Sequence, residues 1–251
     1  MKVGFVSLGC SKNLIDTEIA IGILKEHGME IVNNPEDAEM IIVNTCGFID
    51  PAKEEAINTI LEMAEYKKKK CKYLIAMGCL VQRYTDDLKK ALPEVDLWIR
   101  LDKYDKFYTA IEELINNKVE DNKKYGEIKT YPKEPLPLAS KEEFLGREIS
   151  TGENFAYIKI GEGCSNRCTY CAIPFIRGPF VSRPEEDIIE EANLLAKKGI
   201  KELIVIAQDT TKYGLDLYNE PRLAKLLRKP MNYIVFDLEW NQNPDGRKNN
   251  K

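Results

Sequence analysis

The sequence predicts an α/β fold, because short apolar strands alternate with helical patterns in two separate stretches of the chain. The first stretch holds three such strands, KVGFVSLGC, MIIVNTC and YLIAMGC, and each is followed by a helical pattern. Consecutive units of this kind form a parallel sheet with helices on its faces. Residues 1–115 are therefore expected to form an N-terminal Rossmann-like parallel sheet domain.

The second stretch follows a charged, proline-containing segment at 116–153, which is interpreted as a linker. It contains the strand FAYIKIGEGC, the helix SRPEEDIIEEANLLAKKG and the strand ELIVIAQ. The apolar positions of that helix recur at the spacing of one helix face. Residues 154–229 are therefore expected to begin as a βαβ unit, with the cysteine loop after its first strand, where parallel α/β folds usually place their chemistry.

The composition argues against a nucleic-acid-binding, secreted or membrane-spanning protein. The 37 basic and 41 acidic residues leave a net charge of -4, so no overall positive field favours nucleic-acid binding. The first residues lack the pattern of a signal peptide, and no apolar run approaches the roughly 20 residues that cross a bilayer. A cytoplasmic protein is expected. In that reducing compartment, the 7 cysteines favour metal ligands or catalytic thiols over disulfides.

Three of these cysteines lie close together in the second stretch. Cys164, Cys168 and Cys171 fall within the segment GCSNRCTYCAIP, among polar residues that do not resemble a core pattern. A structural zinc ion would need a fourth ligand, and the single histidine, His27, lies in the other predicted domain. Three thiolates on a four-iron cubane leave one iron free for a substrate or cofactor. The spacing therefore predicts an iron-sulfur cluster.

Three other cysteines lie at the ends of predicted strands. Cys10, Cys46 and Cys79 each follow one of the apolar strands of the first domain. The carboxyl ends of parallel strands meet at one edge of a sheet, so these thiols are expected to converge there. Position alone leaves the alternative of three unrelated cysteines open. Cys71 follows the run KKKK and is interpreted as an unliganded thiol beside a solvated lysine face.

The spacing C-x3-C-x2-C, with Tyr170 before the last cysteine, resembles the cluster loop of the radical-SAM superfamily. The resemblance implies that Cys164, Cys168 and Cys171 hold a 4Fe-4S cluster that cleaves S-adenosyl-L-methionine to a 5'-deoxyadenosyl radical. It also implies that the second domain is a partial radical-SAM (βα) barrel. Gln208, at the end of the strand ELIVIAQ, is a candidate cofactor-binding residue because contacts to the cofactor often lie there in this superfamily.

Longer motifs resemble the methylthiotransferase family, and within it the RimO type, over residues 1–229. The motifs are SLGCSKNLIDTE, VNTCGFI, MGCLVQRY, EGCSNRCTYCAIPFIRGPFVSRP and IAQDTTKYGLDLY. This resemblance implies that Cys10, Cys46 and Cys79 hold an auxiliary 4Fe-4S cluster that carries the donated sulfur. The implied reaction adds a methylthio group to the β-carbon of an aspartate in small-subunit ribosomal protein twelve. The implied partners are that protein or the ribosome, and an electron donor such as flavodoxin or ferredoxin.

Two alternatives remain at this point. The similar MiaB type modifies tRNA instead of a protein. The chain is also expected to be truncated relative to the family, which continues with further barrel units and a TRAM domain, so an inactive iron-sulfur protein is the other alternative. Residues 230–251 do not align with the family pattern and are interpreted as a truncation or fusion scar. Within them, Asp237 and Glu239 on a short apolar strand resemble the first acidic motif of DEDD-type exonucleases.

Overall fold

A computed structural model describes residues 1–117 and 132–229, together with the backbone of one strand at 235–238. In the first domain, the described residues form a parallel sheet of five strands in the order β2-β1-β3-β4-β5. The strands are β1 (Lys2–Ser7), β2 (Glu30–Val32), β3 (Met40–Thr45), β4 (Tyr73–Gly78) and β5 (Leu97–Ile99). This strand order is that of a doubly wound sheet, with its switch point between β1 and β3.

Helices cover both faces of this sheet. They are α1 (Ser11–Glu26), α2 (Asp50–Ala64), α3 (Cys79–Ala91) and α4 (Phe107–Ile115). Successive side chains of a strand point to opposite faces, and β3 shows the result. Ile42 joins the core beneath α1 and α4, whereas Ile41 and Val43 join the core beneath α2 and α3. Every residue of β3 is therefore buried.

Local sequence signals set most of these boundaries. Pro51 occupies the first turn of α2, where its missing N–H costs no hydrogen bond. Gly28 follows the end of α1 with φ of 76°, a conformation that glycine adopts without strain. Pro93 lies just beyond the end of α3. The two edge strands, β2 and β5, have three residues each and were not among the predicted strands.

The second domain has a parallel sheet in the order β10-β9-β6. Its strands are β6 (Phe155–Lys159), β9 (Glu202–Ile206) and β10 (Val235–Leu238). A short antiparallel pair, β7 (Gly161–Glu162) and β8 (Val181–Ser182), closes the base of the cysteine loop. The helices are α6 (Ile173–Arg177), α7 (Glu185–Lys197), α8 (Leu215–Tyr218) and α9 (Leu223–Leu227).

The predicted apolar face of the helix after the cysteine loop packs on this sheet. Ile188, Ala192 and Leu195 of α7 lie in one buried cluster with Ile158 and Val205 of the strands. The segment interpreted as unaligned contributes the strand β10, which pairs with β9. The acidic side chains noted there, Asp237 and Glu239, lie outside the part of the chain whose side chains are described.

The segment interpreted as a linker contains a helix, α5 (Lys141–Gly146). Ser140 caps it in a capping box with Glu143. Phe144 is buried in the core beneath α1, and α5 also packs against α7. This segment therefore lies in the interface between the two domains. In the described ranges, no helix has both the length and the apolar character that a membrane crossing requires.

A close backbone contact between α1 and α5 gives a stability prediction. A Cβ atom on Gly22 would lie 2.4 Å from the carbonyl oxygen of Gly146, and neither backbone can move without repacking the interface. We expect Gly22→Ala to lower the free energy of unfolding by about 1–3 kcal/mol. The matched control is Gly146→Ala, whose added Cβ meets nothing within 4 Å. Urea unfolding monitored by circular dichroism measures both variants, and equal losses would contradict the packing described here.

Candidate metal centre and the domain interface

The three cysteines of the first domain follow three neighbouring strands. Cys10 follows β1, Cys46 follows β3 and Cys79 begins α3 directly after β4. Neighbouring strands lie about 4.8 Å apart, so the outer two of these strand ends are separated by roughly 10 Å. A Cβ atom on Gly9, the residue before Cys10, would lie 3.0 Å from Sγ of Cys46. Sγ of Cys79 donates to Oδ1 of Asn13, three residues after Cys10, at 3.4 Å. The structure thus brings these cysteines together at the carboxyl edge of the sheet.

Glycines beside these cysteines let the loops approach each other. Gly9 has φ of 91°, and a Cβ atom there would lie 2.8 Å from Cβ of Cys46. A Cβ atom on Gly47 would lie 2.7 Å from Cα of Leu80, the residue after Cys79. Any larger residue at these positions would push the cysteine loops apart. The pairing of a glycine with each cysteine was visible in the sequence but was not among the predicted site features.

Hydrogen bonds link the loops that carry these cysteines. The side-chain amide of Asn13 donates to the carbonyl oxygens of Leu8 and Thr45, each at 3.0 Å, and so joins the loops after β1 and β3. The Thr45 hydroxyl donates to the carbonyl oxygen of Met77 at 2.6 Å and joins β3 to β4. The positions of the three cysteines are therefore fixed by polar contacts in the chain itself.

Burial favours the protonated form of the Cys46 and Cys79 thiols. It raises the pKa of Cys79 to about 12, although the Arg177 charge opposes this shift. Burial also raises the pKa of Cys46. Metal ligation requires thiolates, so a metal bound here has to displace protons and supply positive charge.

The second cysteine group lies in one loop between β7 and α6. Cys164 is buried, Cys171 is partly buried and Cys168 is exposed. The backbone N–H of Cys164 donates to Gly178 and that of Cys171 donates to Cys168, each at 3.0 Å. Burial raises the pKa of Cys164, and the charges of Asp209 and of the other two cysteines raise it further. All three thiols therefore lie within electrostatic range of each other.

Neither group is arranged around a single ion. Among the residues that the structure describes, no three His, Cys, Asp or Glu side chains converge closely enough to hold one metal ion. In a cubane cluster each thiolate binds a different iron atom, so three cluster ligands stand further apart than three ligands of one ion. Each donor set consists of three thiols, and this composition fits an iron-sulfur cluster with one open iron. The remaining cysteine, Cys71, donates to the carbonyl oxygen of Tyr73 at 3.3 Å and packs in the core of the sheet.

A buried ionic network connects the two cysteine groups across the domain interface. Lys159 of β6 contacts Asp16 of α1 at 2.7 Å and Glu162 of β7 at 2.9 Å. Arg177, the last residue of α6, contacts Asp16 at 2.8 Å and Glu162 at 3.3 Å. The four side chains are at most 7% exposed, and the two positive charges balance the two negative ones. This network therefore stabilises the contact between the domains only while all four charges are present.

These neighbours keep the network ionised. Burial favours the neutral form of Glu162, but the positive charges of Lys159 and Arg177 outweigh it and lower its pKa to about 2. Burial alone would lower the pKa of Lys159, yet the carboxylates of Asp16 and Glu162 hold it above its usual value. Glu162 is therefore ionised and Lys159 is protonated at neutral pH.

A second set of buried ion pairs extends the interface. Arg147, which follows α5, contacts Glu18 of α1, and it contacts Glu191 of α7 at 2.8 Å. Arg183 contacts the same Glu191 at 2.6 Å. Sequence reasoning missed these residues, although Asp16 and Glu18 interrupt an otherwise apolar part of α1. The available signal was the presence of charged residues within a helix that is buried on most of its surface, because buried charges need partners.

Gln208 lies two residues beyond β9 and faces this network. Its amide nitrogen donates to Oε1 of Glu162. Its Oε1 atom is buried and has no hydrogen-bond partner within the described ranges. Because Gly163 and Cys164 directly follow Glu162, this open acceptor lies near the second cysteine loop. The role of Gln208 in cofactor binding stays a prediction.

Two family models match the chain. Residues 2–100 match uncharacterized protein family UPF0004, and residues 158–242 match the radical SAM superfamily.

Solved structures show the same fold at low identity. The radical S-adenosylmethionine methyltransferase TsrM from Kitasatospora setae has a TM-score of 0.56 at 12% identity, covering 90% of this chain and 50% of that one. The cobalamin-dependent S-adenosylmethionine radical enzyme OxsB has a TM-score of 0.56 at 14% identity, covering 94% of this chain and 38% of that one. The predicted α/β fold with a partial radical-SAM barrel is confirmed.

Curated relatives are similar to almost the whole length of this chain. The chain is 55% identical over 240 residues to ribosomal protein uS12 methylthiotransferase RimO of Alkaliphilus oremlandii, covering 96% of the chain and 50% of that protein. It is 52% identical over 241 residues to the RimO protein of Acetivibrio thermocellus, covering 95% and 51%. The predicted resemblance to the radical-SAM methylthiotransferases of the RimO type is therefore confirmed. The chain spans about half the length of these relatives.

The buried network gives a prediction about the domain interface. We expect Lys159→Met to lower the free energy of unfolding by about 3–5 kcal/mol, because Asp16 and Glu162 would lose a buried partner. The control is Lys68→Met, which removes an exposed ion pair with Glu65 and should cost no more than about 1 kcal/mol. Chemical unfolding measures both. Similar losses in the two variants would show that the interface does not depend on the buried charges.

Proposed function

We propose that the chain provides two iron-sulfur cluster sites of a methylthiotransferase that adds a methylthio group to the β-carbon of an aspartate in ribosomal protein uS12. The observation that carries the proposal is the presence of two groups of three cysteines on either side of one buried interface. The similarity to RimO proteins supports the reaction and the substrate. Because the chain spans about half of those proteins, the reaction is proposed for the whole enzyme to which such a chain corresponds.

The two groups would divide the chemistry between them. Cys164, Cys168 and Cys171 would hold the cluster that, when bound, supplies the electron for cleavage of S-adenosyl-L-methionine to a radical. Cys10, Cys46 and Cys79 would hold the auxiliary cluster. A radical suits this reaction, because the β-carbon of an aspartate has no accessible acid-base route to substitution. The role of the chain is to position these groups and to exclude water from them.

The described residues support this role. The charged side chains of the interface that carries both groups are paired and buried, so water is excluded from this contact. Gln208 presents an open buried acceptor close to the second cysteine loop, where it would contact the cofactor. Tyr170 is 88% exposed beside Cys171, so that edge of the loop stands open to a substrate or to another part of the enzyme.

The partners follow from the same reaction. The substrate would be ribosomal protein uS12, alone or within the ribosome, and the electron would come from a donor such as flavodoxin or ferredoxin. A ribosomal substrate would place the enzyme in the cytoplasm.

Iron content tests the two cluster sites. After anaerobic reconstitution we expect about eight iron atoms per chain, four for each cluster. Cys164→Ala and Cys79→Ala should each lose about half of that iron, because each variant removes a ligand from one group only. Cys71→Ala is the matched control and should keep all of it, since that thiol points into the core. Four iron atoms or fewer in the unchanged chain would reject the two-cluster assignment.

Product analysis tests the reaction. The reconstituted chain, with dithionite and S-adenosyl-L-methionine, is offered either a peptide of the uS12 loop or a tRNA anticodon stem-loop. We expect 5'-deoxyadenosine release and a methylthio group on the peptide aspartate, both detected by mass spectrometry. Modification of the tRNA instead would favour the MiaB-type reaction. Filled clusters without 5'-deoxyadenosine release would indicate an inactive iron-sulfur protein.

A further inference from the structure

Arg177 contacts a cysteine of the other domain. It ends α6, six residues after Cys171 in the chain, yet its guanidinium group lies against Cys79 of the first domain. The distances to the Cys79 sulfur are 3.3 Å from Nε and 3.2 Å from Nη2. The side chain is 5% exposed, so this contact is shielded from water. One arginine thus connects the loop of one cysteine group to a ligand of the other.

The remaining N–H groups of Arg177 fix its orientation. Nη1 contacts Asp16 at 2.8 Å and Glu162 at 3.3 Å, while Nη2 also donates to Oδ1 of Asn13 at 2.6 Å. The planar guanidinium presents five donors in a fixed arrangement, which a lysine cannot reproduce. Asn13 is the residue that ties the loops after β1 and β3. The arginine is therefore held against Cys79 by partners from both domains.

A positively charged hydrogen-bond donor next to a cluster sulfur changes the reduction potential of the cluster in a predictable direction. Hydrogen bonds to the sulfur atoms are among the factors that set the reduction potential of an iron-sulfur cluster. An N–H donor and a positive charge stabilise electron density on the thiolate, and they stabilise the reduced cluster more than the oxidised one because it carries one more negative charge. Removal of that donor should make the cluster harder to reduce.

We propose that Arg177 is a positioning residue that sets the reduction potential of the auxiliary cluster through its hydrogen bonds to Cys79. The inference rests on the proposed two-cluster function and deepens it. It means that the radical-SAM domain controls the electronic properties of a cluster bound by the other domain. The same side chain holds the Cys79 loop in place relative to Asp16 and Asn13.

The test isolates the auxiliary cluster in the full chain. Cys164→Ala, Cys168→Ala and Cys171→Ala are combined to remove the other cluster, and the reconstituted protein is titrated with dithionite while its EPR signal is recorded. We expect Arg177→Met to lower the midpoint potential, because it removes both the donor and the charge. Arg177→Lys should lower it less, because it keeps the charge but loses the fixed donor arrangement.

The matched control is Arg183→Met. Arg183 is as deeply buried, contacts Glu191 and the carbonyl oxygen of Lys159, and has no recorded contact with sulfur among the described residues. The auxiliary cluster of Arg183→Met should have the same midpoint potential as that of the chain with Arg177 and Arg183 intact. In a chain that keeps all its cysteines, loss of only the auxiliary iron in Arg177→Met would also support the positioning role.

An unchanged midpoint in Arg177→Met, or an equal shift in Arg183→Met, would overturn the inference alone. The absence of any cluster from the parent chain with Arg177 intact would overturn the proposed function, and the inference with it. The iron content and the midpoint potential thus distinguish the two failures.

Discussion

The buried charges between the two domains are the constraint on which the rest of the structure depends. Asp16 of the first domain is paired with Lys159 and Arg177 of the second, and the three side chains are almost completely buried. An unpaired charge in such a place costs several kcal/mol, so the domains can dock in one arrangement only. That arrangement places Arg177 against Cys79 and thereby fixes the first cysteine group relative to the second.

Contacts within the chain also hold the loops of the first cysteine group together. Asn13 and Thr45 tie together the loops that carry the first three cysteines, and the glycines beside them allow the loops to approach. Burial keeps Cys46 and Cys79 protonated in the absence of a metal. Binding of a cluster is therefore coupled to proton release, as for other thiolate sites.

The sequence was informative where the signal is local. Apolar runs followed by helical patterns predicted β1, β3 and β4, and the cysteines after them were correctly placed at one edge of the sheet. The three-residue strands β2 and β5 are too short to show a periodic pattern. Helix α5 was missed although Ser140 and Glu143 form a capping box, because the charged surroundings suggested a linker.

Long-range pairs were not predictable in this way. Asp16 and Lys159 are 143 residues apart, and Arg177 and Cys79 are 98 residues apart. Nothing in the neighbourhood of either partner indicates the other, since the pairing depends on how two domains dock. The buried network, which links the two cysteine groups, therefore emerged only from the three-dimensional structure.

We propose that two clusters lie on either side of one buried network, close enough to be bridged by a single arginine. EPR spectroscopy of the fully reduced chain tests it most directly. We expect a spectrum broadened by spin–spin interaction between two clusters, and a simple spectrum when either cysteine group is removed. A sum of two independent signals, or a single signal in the unchanged chain, would contradict it.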